Sequence, residues 1–135
     1  MTRFVIGSDV ALYLAKSDIV IRAEHKLLAP TLLRSQMLAH LYAAVKRGDI
    51  DSKMARRQLD YLRTIKIRLL GDRVLQRVAW EMASQLDWPD TYQAEYLALT
   101  RLQADAFITL DGKLAQMVRG IVPLASVQEL SENAG

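Results

Sequence analysis

The chain has no cysteine in 135 residues, which excludes disulfides and thiolate metal sites. A reducing compartment is allowed by that absence but not demonstrated by it. The apolar runs are short and broken by charge, far from the roughly 20 residues that a membrane-spanning helix needs. No basic stretch followed by an apolar run and a small-residue cleavage site marks the start of the chain, so no secretory signal is read and a cytoplasmic location is expected. Internal repeats and low-complexity tracts are also missing. No glycine-rich phosphate loop, nucleophile–base pair or zinc-ligand spacing supports a phosphate-loop, covalent-hydrolase or zinc class.

What remains is an ordinary globular composition, with 51% hydrophobic and 24% charged residues. The length predicts one domain, residues 1–130, with a flexible tail at 131–135. It is enough chain to bury a core without staples. Net charge is only +3, but Lys46 to Arg77 holds ten Lys or Arg against four acids, a local +6, leaving −3 for the rest. Such a basic middle attracts phosphate backbones or acidic partners. Its bland counterpart is the solvated surface of a helical hairpin.

The pattern alternates strand and helix. Arg3–Ile6 reads as a strand, Gly7 and Ser8 as a turn, and Val10–Lys16 as a helix. Lys26–Ala29 reads as a second strand, with Pro30 starting a helix where its missing N–H costs nothing. Leu33, Met37, Leu38, Leu41, Ala44 and Val45 mark that helix's inner face, and Gly48 its end. Asp51-Ser52 can cap a helix to about Arg63, and Ile65, Ile67 and Leu69 alternate like a strand. Gly71-Asp72 opens a helix with Leu75, Val78, Ala79, Met82 and Leu86 inward. Asp90 or Thr91 caps another through Leu102, with Tyr92, Ala94, Tyr96, Leu97, Ala98 and Leu99 on several sides, so it is expected to be central. Ala106–Thr109 is a strand, Asp111–Val118 a helix, Ile121–Leu124 a last strand and Ser126–Leu130 a final helical turn. The fold class is therefore α/β: a mostly parallel sheet of four or five short strands flanked by helices. Ligands of such sheets bind beyond the carboxyl ends of the strands. That places a site just after Ile6, at the start of the helix after Ala29, and just after Thr109.

Three stretches in order then resemble the PIN domain of VapC-type toxins. They are Phe4-Val5-Ile6-Gly7-Ser8-Asp9-Val10-Ala11, Leu28 to Leu38, and Thr91 to Leu99 followed by Ala106-Phe107-Ile108-Thr109-Leu110-Asp111-Gly112-Lys113-Leu114. The last is similar to the family's YDAxYLALA…VTxDxxL pattern. The resemblance implies an α/β/α sandwich in which four acids hold Mg²⁺ or Mn²⁺, and the metal activates water against an RNA phosphodiester. Hard cations require such anionic oxygens. It also implies a homodimer and an antitoxin-like protein partner.

At the positions where the family carries acids, this chain has Gly7, Gln36 and Gln93, and only Asp111 matches. Asp111 is thus the expected catalytic and metal-binding residue, with Asp9 a second candidate that either faces the site or caps the first helix. Asp90 shares the face of Gln93 and is also a natural helix cap. Glu95 points some 200° away from Gln93 around an ideal helix. His40, one turn after Gln36, borders the pocket or is structural. Glutamines keep one acceptor oxygen but no charge, so the expectation is a satisfied polar pocket with lost or very weak ribonuclease activity and no bound metal. The alternative is an active Mg²⁺- or Mn²⁺-dependent endoribonuclease whose acidic site is rearranged around Asp9, Asp111 and either Asp90 or Glu95.

Overall fold

The computed structural model describes residues 1–131. The expected tail at 131–135 lies, beyond its first residue, outside the described residues. Four strands, β1 (Thr2–Ile6), β2 (His25–Pro30), β3 (Arg68–Leu70) and β4 (Ala106–Ile108), form one sheet in the order β3-β2-β1-β4. Every pairing is parallel. The helices are α1 (Ser8–Ser17), α2 (Leu32–Arg47), α3 (Ser52–Thr64), α4 (Arg73–Gln85), α5 (Tyr92–Gln103) and α6 (Gly112–Val118), with a short 3₁₀ turn at Val127–Leu130.

The strand order explains the layers. The chain steps from β1 to β2 to β3 in one direction, so right-handed crossovers lay α1, α2 and α3 on one face. The return from β3 to β4 runs the other way and puts α4 and α5 on the opposite face. The result is an α/β/α sandwich, with helix α5 packed against β1, β2 and β4. Its Ala94 and Tyr96 to Thr100 are all buried, as a central helix requires. Tyr92, expected among its inward residues, is exposed, while Ala94 in the same turn is buried. No helix among the described residues is long and apolar enough to cross a membrane.

Local chemistry accounts for most boundaries. Asp51 accepts the Met54 N–H at 2.8 Å and Asp72 the Leu75 N–H at 2.9 Å, each closing a helix start. Gly48 ends α2 in the left-handed region at φ 81°.

Four further expectations need correction. Pro30 ends β2 instead of opening α2. Next to β3 the ladder bond is donated by the Thr31 N–H to the Leu70 carbonyl at 3.2 Å, so proline's missing N–H leaves nothing unpaired there. Leu38 is 59% exposed, because the helix rotates Met37 and Leu41 onto the core and leaves Leu38 outside that stripe. The alternating run Ile65–Leu69 forms a strand only from Arg68, since Lys66 takes a left-handed turn at φ 54° directly after α3. Ile121–Leu124 makes only single bridges, Leu124 to Phe107 and Val122 to Arg119, beside β4.

Candidate functional site

The carboxyl ends of β1, β2 and β4 bring together Gly7, Asp9, Gln36, Tyr96, Thr109 and Asp111. Asp9 stands in the first turn of α1, and both oxygens of its carboxylate accept hydrogen bonds. Its Oδ1 accepts the Val10 N–H at 2.8 Å. Its Oδ2 accepts the Thr109 hydroxyl and the Leu110 N–H, both at 2.8 Å. One side chain therefore clasps the β1–α1 turn to the β4–α6 loop, across about a hundred residues of sequence. It accepts a first-turn N–H without capping α1, whose cap position is Gly7 and has no side-chain cap bond.

Gly7 explains how this is possible. Its φ is −73°, so the backbone itself does not require glycine. A Cβ at that position would meet Asp9 Oδ1 at 2.5 Å. The Asp9 carboxylate occupies the space that a residue-7 side chain would take.

Gln36, half-buried on α2, accepts a hydrogen bond from the Tyr96 hydroxyl at 2.5 Å. Burial first, then the negative charges of Glu95 and Asp9, push the Tyr96 phenol far above its ordinary pKa. The hydroxyl stays protonated and donates to Gln36. Glu95 is half-buried, and desolvation raises its carboxyl above the ordinary range. Its negative charge thus acts on the same phenol as that of Asp9.

The other sequence candidates are solvent-exposed, and none of their side chains bonds Asp9 or Gln36. Gln93 is exposed on α5 and does not bond Gln36. Asp90 is exposed, and its Oδ1 accepts the Tyr92 N–H at 3.2 Å, so it serves the start of α5. His40 is exposed on α2. Asp111 is exposed and caps α6, accepting the Leu114 N–H at 3.1 Å, while its own N–H donates to Thr109 Oγ1 at 3.1 Å. Thr109 and Tyr96 are the participants that residue-type reasoning passed over. Both stand inside the motif stretches, and only their hydrogen bonds mark them.

The pocket's oxygens are engaged by the protein's own donors. Both Asp9 oxygens and the Gln36 oxygen already accept hydrogen bonds, and Asp111 is used as a cap. Among the described residues no three His, Cys, Asp or Glu side chains come together as metal ligands do. Mg²⁺ in particular keeps its water unless converging charge replaces it.

No protein-family model and no curated protein matches this chain. The fold does have a solved counterpart. It is similar to the crystal structure of PAE2754 from Pyrobaculum aerophilum, with a TM-score of 0.72 over 94% of this chain and 92% of that one. Identity is 19%, so the likeness extends to the architecture alone.

Proposed function

We propose that this chain is a PIN-like domain of the VapC toxin type in which metal-dependent RNA cleavage is lost or very weak. It then acts as a cytoplasmic binding module of a toxin–antitoxin-like pair, retaining homodimer, antitoxin-like or RNA contacts. The reading rests on the motif stretches in order around an α/β/α sandwich. Its decisive observation is the Asp9 clasp: the carboxylate stands where a residue-7 side chain would, with both oxygens bonded to N–H and O–H donors. A dication at Asp9 has to give up part of its own water and compete with three hydrogen bonds, without the second and third anionic ligands that would compensate.

The test is RNA cleavage and melting temperature with and without millimolar Mg²⁺ or Mn²⁺. A site filled at a hundred times its Kd adds about 2.7 kcal/mol of stability. The expected result is neither a melting shift of that size nor cleavage. Mn²⁺-dependent cleavage that disappears in Asp111→Ala would overturn the proposal in favour of the rearranged site built on Asp9, Asp111 and either Asp90 or Glu95.

A further inference from the structure

A large cleft lies at the opposite end of the sheet from Asp9. It exists because β3 is three residues long and β2 six. β3 pairs β2 only from Leu28 to Pro30, so the outer edge of His25 to Leu27 has no neighbouring strand. The left-handed Lys66 carries the chain away from that edge at the end of α3. The space left between is about 820 Å³, within the range of small-molecule sites.

Its walls carry one sign of charge. Arg3, Arg22, Lys26, Lys66 and Arg68 line it, against a single acid, Asp18. Arg22 is paired with Glu24 at 2.7 Å. Among the described residues the side chains of Arg3, Lys26, Lys66 and Arg68 have no ion pair. The register gathers three of them. Arg3 is the cross-strand partner of Lys26, and Leu28 that of Arg68. Lys26 and Leu28 are two residues apart on one strand, so Arg3, Lys26, Leu28 and Arg68 all project from the same face of the sheet. Apolar Ile19, Leu28 and Ile65 line the cleft beside these cations.

We propose that this cleft binds a nucleotide, its phosphates held by Arg3, Lys26 and Arg68 with Lys66 at the rim, and its base lying against the apolar wall. An inorganic anion alone would use the cations and leave most of the volume and the apolar wall unfilled. A nucleotide supplies both a multiply charged group for unpaired cations and a flat apolar body. Free nucleotides and the phosphorylated 5′ end of an RNA share this chemistry. The inference is independent of the reading of the Asp9 end.

Titration calorimetry at physiological salt decides it, with ATP, adenosine, inorganic tripolyphosphate, and an RNA trinucleotide with and without a 5′-phosphate. ATP or the 5′-phosphorylated RNA is expected to bind at least tenfold more tightly than tripolyphosphate and adenosine, and whichever binds better identifies the source. Lys26→Glu with Arg68→Glu is expected to weaken that binding at least thirtyfold. Lys66→Glu alone, on an exposed turn outside any strand, should weaken it several-fold with the melting temperature unchanged. Lys113→Glu, on α6, should leave it as it was. Absence of binding at millimolar nucleotide, equal affinity for tripolyphosphate and ATP, or an affinity indifferent to the first two variants would each overturn the proposal.

Discussion

Asp9 and Gly7 behave as one unit, and substitution there tests whether the clasp is what holds the two loops. Gly7→Ala puts a methyl into the space of Asp9 Oδ1. The carboxylate must then swing off Thr109 and Leu110, leaving donors short of partners at a cost of about 1–3 kcal/mol. In an Asp9→Ala background the obstacle is gone, so Gly7→Ala should cost under about 0.5 kcal/mol. A double-mutant cycle by urea unfolding reads the coupling directly, and additive effects would contradict the clasp. Tyr96→Phe removes the bond to Gln36 and should cost about 0.5–1.5 kcal/mol. Glu95 gives a pH signature. Its folded pKa is raised by desolvation, so the folded state binds the proton more tightly than the unfolded one. That contribution is complete below the unfolded value near 4.5 and is lost as pH rises through the folded value. Glu95→Gln should therefore be more stable than the parent at pH 7 and indistinguishable from it below about pH 4. Equal stability across that range in thermal melts would show that its partial burial carries no electrostatic penalty.

At the scale of the element, Asp111 has a structural duty that must be separated from any chemical one. It closes the first turn of a helix of seven residues. Asp111→Ala should lower stability by about 1 kcal/mol, whereas Asp111→Asn, an equally good cap, should leave the melting temperature within a degree or two. If both variants melt alike, the cap is not what Asp111 supplies. Element identity was largely legible in the chain because caps and periodicity agree. Asp51, Asp72 and Asp111 announce α3, α4 and α6 by their residue type, and the buried stripe of α5 shows as apolar residues on several sides. The departures share a cause. Alternation at Ile65–Leu69 records which side chains are partly covered, and a left-handed Lys66 covers them without a ladder. Pro30 suits a helix start and a strand end equally by its own φ, and only the position of β3 decides. In the pocket, residue types located Asp9 and Gln36. The bond from Tyr96 to Gln36 and that from Thr109 to Asp9 join residues 60 and 100 apart, which no local pattern encodes.

The two candidate sites lie at opposite ends of the strands. The Asp9 clasp, Glu95 and the Asp111 cap belong to the carboxyl end, and Arg3, Lys26, Lys66 and Arg68 to the amino end. Acids added at the carboxyl end would crowd the negative charge that Asp9 and Glu95 already place beside Tyr96. A variant carrying Gly7→Asp, Asp9→Asn, Gln36→Glu and Gln93→Asp restores the acids that the PIN resemblance assigns and removes the side-chain charge that position 7 would meet. Without metal, its carboxylates repel one another and the melting temperature should fall below that of the parent. With millimolar Mn²⁺ the order should reverse. Occupancy at a hundredfold Kd contributes about 2.7 kcal/mol, worth roughly 5–10 °C for a domain of this size. The parent should melt at the same temperature with or without Mn²⁺. Calorimetric melts of both proteins, with calcium as a control for general cation screening, separate the outcomes. A variant that stays depressed in Mn²⁺ would mean that the carboxylates at positions 7, 36, 93 and 111 do not converge, and that the strand ends of this sheet hold no remnant of a metal centre.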